Sequence, residues 1–149
     1  MPYQGRYKPR NPEKYEGDPT NIIYRSGWEL RLMSYCDKHP NILKWSSEEV
    51  VIPYKSPIDG RYHRYFPDFL IKTINKDGSK ETILVEVKPE YQTKPPQKQK
   101  KVTKKYLNEV KTWGINEAKW KAANEYCKDR GWKFVIMTEK ELSIYGNHI

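Results

Sequence analysis

Cysteine and histidine are scarce, with two and three residues in a chain of 149. Cys36 and Cys127 stand in separate segments of helical pattern, with no CxxC spacing and no Cys/His cluster around either. They are expected as packed free thiols rather than a disulfide. His39, His63 and His148 are scattered, which argues against a zinc centre. Long apolar runs are missing as well. No stretch approaches a membrane span and the N-terminus has no apolar leader core, so the expected location is the cytoplasm of the cell that makes the protein. The sequence also lacks internal repeats, a recognition-helix motif and a second domain that could read bases.

What is present in excess is positive charge and aromatic rings. Twenty-eight Lys and Arg against nineteen Asp and Glu leave a net charge of +9. That balance favours a polyanionic partner, nucleic acid before an anionic membrane. Five Trp and twelve Tyr mean that core burial comes largely from rings. The length is that of one domain with a modest single core.

Residues 1–19 read as a basic arm: proline and tyrosine interleaved with charge, without either hydrophobic period, and with Arg6, Lys8 and Arg10 ahead of any acid. Such an arm can lie along phosphates or wrap the domain. Residues 20–149 then form the single domain. Ser26-Gly27-Trp28-Glu29 is a capping box that opens a helix to about Lys38, with Trp28, Leu32, Tyr35 and Cys36 as its apolar stripe. Three strands are expected next, at Val50–Tyr54, Tyr62–Thr73 and Glu81–Lys88, joined by turns into an antiparallel meander. Pro53 marks an edge or a bulge. Val102, Tyr106, Val110 and Trp113 predict a helix closed by Gly114, and Asn116 caps a second one with Trp120, Ala123 and Cys127 inward. Lys133–Met137 is a buried strand, expected parallel to a neighbour after its helical crossover. Thr138-Glu139-Lys140-Glu141 starts a last short helix.

The chemistry concentrates in the second and third predicted strands. Tyr65–Ile71 and Leu84–Lys88 are apolar runs with acids where a core strand should have none. The Asn75–Ser79 turn folds them together, so Asp68 and Glu86 reach one end of a sheet. Lys88, two residues after Glu86, points to the same face. Two carboxylates and an ammonium make a hard-cation site, for which Mg²⁺ is the natural occupant and Mn²⁺ a substitute. Asp68 and Glu86 are the expected ligands. Glu90, behind Pro89, is a reserve acid, while His63, Arg64 and Tyr65 are near enough in sequence to touch a nucleic-acid backbone. From Tyr91 to Asn108 there is no acid, but there are six lysines: Lys94, Lys98, Lys100, Lys101, Lys104 and Lys105. A solvated loop is the ordinary fate of such a run. Starting so close to Lys88, it is expected instead to clamp the backbone of double-stranded DNA. No nucleotide cofactor is expected.

Pro67-Asp68 followed by Glu86-Val87-Lys88 resembles the PD-(D/E)xK signature of restriction-endonuclease-like nucleases. Tyr24–Glu29, Val51–Tyr54, Arg64–Asp68 and Trp120–Ala123 resemble the head-completion nucleases of contractile-tailed phages, over nearly the whole chain. The core is more distantly similar to the endonuclease subunit of heteromeric transposases. The resemblance implies an α/β (α+β, mixed-sheet) restriction-endonuclease-like core. It implies a metal-dependent deoxyribonuclease, endo- or exonucleolytic, that trims DNA at a filled phage head before tail joining. Head, portal or neck proteins would be its partners, and its place would be the host cytoplasm or the virion. It also implies that Glu29, on the first helix, joins the metal site, that the Val87 carbonyl is a third ligand beside Asp68 and Glu86, and that Lys88 orients an attacking water. Three other readings stay open: a transposon-end or repair endonuclease subunit, a structural neck or DNA-binding protein with a vestigial site, and a basic binder of RNA or anionic lipid.

Overall fold

Ser26 begins the first helix as the sequence requires: its hydroxyl accepts the Glu29 N–H at 3.1 Å, one of the donors that a helix start leaves without an internal partner. The computed structural model describes residues 4–145, so the first three residues of the arm and His148 lie outside the described residues. Strands β1 (Gly5–Tyr7) and β2 (Ile22–Tyr24) pair antiparallel ahead of α1 (Gly27–Lys38). Then come β3 (Ile42–Ser47), β4 (Ile52–Lys55), β5 (Tyr62–Tyr65), β6 (Phe69–Ile74) and β7 (Lys80–Val87). The long α2 (Lys104–Arg130), β8 (Lys133–Met137) and α3 (Glu139–Tyr145) complete the order.

The main sheet runs β3-β6-β7-β8, antiparallel except for the parallel β7–β8 pair. Alternation along β7 divides the core in two. Val85 points to the face covered by α1 and α3, with Leu32, Met33, Trp45, Phe69 and Leu142. Leu84 points to the face covered by α2, with Trp120, Ala123 and Cys127. Complete burial of side chains such as Leu84 and Val85 stabilises by about 1.5–3 kcal/mol each.

The expected meander is corrected in two places. Its third member in the main sheet is β3, not Val50–Tyr54. Strand β4 instead pairs with β5 in a separate two-stranded ribbon, where Pro53 is exposed and costs no ladder bond. The single strand expected from Tyr62 to Thr73 is two strands, because Phe66-Pro67-Asp68 carries the chain from the ribbon to the main sheet. The two helices expected around Gly114 are one. Asn116, read as a cap, is buried in line with Trp120, Ala123 and Cys127; burying that face outweighs the roughly 1 kcal/mol that an interior glycine costs. Gly131 ends the helix, as the pattern of the expected second helix predicts; it is left-handed at φ 70°, with the Trp132 N–H donating to the Cys127 carbonyl at 2.8 Å. Trp28, Val102 and Val110, placed in apolar stripes, are exposed.

The described part of the N-terminal segment wraps the domain. Buried Asp37 at the end of α1 accepts from the Arg10 and Asn11 N–H groups and the Tyr7 hydroxyl at 2.7–2.9 Å. Tyr15 packs edge-on against fully buried Trp45. Both cysteines are free and buried.

Candidate active site

The ladder between β6 and β7 ends at the Phe69–Val85 pair. Beyond it the Val87 main chain faces a gap on the β6 side, and the Asp68 carboxylate fills that gap, accepting the Val87 N–H at 2.7 Å. Within a strand the N–H and C=O of one residue point the same way, so the Val87 carbonyl is aimed toward Asp68 as well. Pro67, fully buried, fixes the approach to Asp68. On the other side, the Asp68 carbonyl accepts the Glu48 N–H at 3.1 Å.

Glu86 leaves β7 on the α2 face and is 6% exposed. Its carboxyl is pushed up to about 8, by burial first and then by the Asp68 charge, against the pull of Lys88. Asp68 is raised too, by burial, with the Val87 N–H, Glu86 and Lys88 opposing. Each carboxyl of this pair is thus made harder to ionise by burial, and Glu86 also by the charge of Asp68. Lys88 follows on the same face, its N–H donating to the Met137 carbonyl of β8 at 3.0 Å.

Glu29 comes from the first turn of α1. Its carboxyl is pushed up to about 7 by burial, then by the charges of Asp68 and Glu48. The Arg25 N–H reaches it at 3.4 Å, a long bond. Capping therefore accounts for Ser26 fully and for Glu29 only in part. The structure brings Glu29, Asp68, Glu86, Val87 and Lys88 into one neighbourhood.

Among the described residues no three Asp, Glu, His or Cys side chains are close enough to hold an ion unaided. The donor set nevertheless fits a divalent cation. Two buried carboxyls whose ionisation burial opposes are what a bound divalent ion favours in the charged form. A main-chain carbonyl lies beside them, and substrate and water would fill the rest of an Mg²⁺ shell.

The family model described as TnsA-like endonuclease N terminal matches residues 39–139, from just before β3 to the start of α3. The chain belongs to this family. It is also 42% identical to the head completion nuclease of Enterobacteria phage T4 over 150 residues, covering 98% of this chain and 97% of that one. The mixed sheet with its three helices is thus the restriction-endonuclease-like fold of a TnsA-like domain. Asp68, Glu86 and Lys88 lie inside the matched segment, while α1 with Glu29 precedes it.

The lysine run lies outside this centre and follows it in the chain. Lys94 follows a short 3₁₀ turn (Glu90–Thr93); Lys98, Lys100 and Lys101 are exposed on irregular chain, and Lys104 and Lys105 open α2. Between the two arms lies a groove of about 1230 Å³, lined by Tyr91, Lys94, Lys104, Lys105 and Trp113, but also by Glu90, Glu109 and Glu139. Glu90 is tied to Lys140 at 2.9 Å and is not part of the site. Of the three residues taken from proximity, only Tyr65 reaches the centre: His63 Nε2 pairs with Asp59 at 2.8 Å, and Arg64 lies over the Phe66 ring.

Two neighbours of this TnsA-like site escaped the sequence reading. Glu48 holds Arg25 through contacts of 3.0 and 3.2 Å from a left-handed backbone, φ 55°, an uncommon and costly state for a non-glycine residue. Lys119 comes from the middle of α2; its ammonium is pushed down by burial, against the charge of Glu86. Neither carries a local signal. Glu48 sits in a Ser-Ser-Glu-Glu stretch that reads as a solvated turn, and Lys119 looks like any helix-surface lysine.

Proposed function

We propose that the chain is a divalent-metal-dependent deoxyribonuclease that acts in phage head completion, trimming DNA at the filled head so that a tail can join. The observation that carries this reading is the Asp68–Glu86 pair at the open end of β7 with Lys88 on the same face. Likeness to the T4 head completion nuclease over nearly the full length of both chains supports the biological setting. Mg²⁺ is the cation the donor set suits best, with Mn²⁺ able to replace it.

Asp68 and Glu86 would hold the cation, with the Val87 carbonyl beside them and Glu29 contributing from α1. When bound, the ion supplies an acidified water and neutralises charge on the phosphate. The protein's own groups do the rest. Asp68 is fixed by the Val87 N–H, so its second oxygen has a defined direction. Lys88 orients the attacking water by hydrogen bonding and offsets negative charge that grows on the phosphate. The exposed lysines from Lys94 to Lys105 hold the backbone without reading bases.

Incubating supercoiled plasmid with the protein, with and without Mg²⁺, beside an Asp68→Asn variant, tests this directly. Metal-dependent cutting absent from the variant is expected. The match to TnsA-like domains favours one further reading, an endonuclease subunit active only with a partner protein. Cutting by the isolated chain excludes it.

A further inference from the structure

Lys119 occupies a place that a surface lysine does not. Its Nζ lies 5.5 Å from the centre of the Tyr65 ring and 5.7 Å from that of Tyr54, so two aromatic faces steer the ammonium. Tyr54 and Tyr65 are the inward residues of the β4–β5 ribbon, 8% and 4% exposed. The charges that act on Lys119 are Glu86, Lys88 and Asp68. Yet none of the ion pairs among the described residues includes it.

A half-buried ammonium held by ring faces, facing the catalytic strand and lacking an anion in contact, is poised for an anion that arrives. We propose that Lys119 is a second catalytic cation of this centre, contacting the oxygens of the phosphate under attack from the α2 side while Lys88 contacts it from the end of β7. The inference rests on the nuclease reading and extends it. The ribbon acquires a purpose by it: the Tyr54 and Tyr65 rings hold the lysine stem and keep the ammonium from swinging out to solvent. The competing account makes Lys119 only a counter-charge to Glu86. The two differ in what happens when the phosphate reacts. A counter-charge acts before DNA is bound, whereas a phosphate contact strengthens as charge builds in the transition state.

The test uses full-length protein and linear duplex DNA. Lys119→Met removes the charge but keeps an apolar stem over the rings. Its single-turnover cutting rate at saturating enzyme should fall about 10²-fold. Affinity for the same duplex in EDTA should change less than about threefold, since many other cations set it. Should the Met variant fold poorly, Lys119→Cys decides, with the native thiols shielded by burial (0% and 1% exposed). Cutting by that variant should be restored when its thiol is aminoethylated, which rebuilds an ammonium at nearly the lysine length. Wild-type cutting by Lys119→Met, or no recovery in the folded, aminoethylated Cys variant, overturns the proposal. Failure of the unmodified wild-type protein to cut in Mg²⁺ or Mn²⁺ instead overturns the nuclease reading beneath it.

Discussion

Glu86 sits in a sheet core beside the charge of Asp68, and its carboxyl, pushed up to about 8, records the conflict. Glu29, pushed up to about 7, shares it. Both values lie above the roughly 4.3 of a free glutamate, so the folded state favours the protonated acids. Their contribution to stability is complete below about pH 4.3 and is lost as pH rises through about 7 and 8. Asp18, Asp59, Asp77, Glu81 and Glu141 are lowered by hydrogen bonds to Thr20, Arg61, Ser79, Lys133 and Thr138. Their contribution changes only as pH falls below about 4.5. In EDTA the melting temperature should therefore drop between about pH 5.5 and 8.5. Glu86→Gln should flatten that drop and abolish cutting; an equally steep profile in the variant would show that the acid is not strained. Asp68→Asn and Lys88→Ala should each lower cutting by about 10²-fold or more. Both should melt like the wild type, since asparagine can still accept the Val87 N–H, and both should still bind DNA. Normal rates in either would remove that residue from the chemistry.

Among the elements, α2 does the most to shape the centre, because one unbroken helix carries exposed lysines at its start and Lys119 against the sheet. Gly114 lies in its interior, where an added Cβ would come no closer than 3.7 Å to Pro57. Gly114→Ala should consequently stabilise by about 0.5–1 kcal/mol, or about 2–4 °C per kcal/mol for a domain of this size. A loss of stability would mean that the helix breaks there after all. The β6–β7 hairpin was legible because alternation and the Asp77-Gly78 turn agree; β8 and the cap of α1 were legible for similarly local reasons. Strand β3 was not. Ile42–Ser47 mixes a lysine and two serines with apolar residues, and its burial comes from distant partners, Tyr15 and β6. The break between β5 and β6 was hidden for the same kind of reason: only the pairing of Tyr65 with Ile52 shows that it belongs to another sheet. Asp68, Glu86 and Lys88 could be read because spacing along two strands fixes their meeting. Glu48 and Lys119 meet them only through tertiary placement.

For the molecule as a whole, a net charge of +9 suits the backbone contacts, indifferent to sequence, that the proposed function calls for. Replacing Lys98, Lys100, Lys101, Lys104 and Lys105 with Ala should weaken DNA binding equally for all sequences. It should flatten the log–log salt slope by roughly 0.9 per lost duplex contact; an unaltered slope returns the run to mere solvation. In an infection that supplies only Asp68→Asn protein, filled heads and free tails should accumulate unjoined. Normal joining with a dead nuclease would make the role structural. The parallel pairing of β7 with β8 also has a bearing on how the site is held. Glu86 lies opposite Ile136, and Lys88 is anchored to Met137, so the catalytic strand is clasped by residues synthesised some fifty positions later. A chain cut at the end of α2 would have Glu29, Asp68 and Glu86 but not the β8 strand that frames β7. The strand that carries Glu86 and Lys88 therefore depends for its frame on a segment that comes after α2 in the chain.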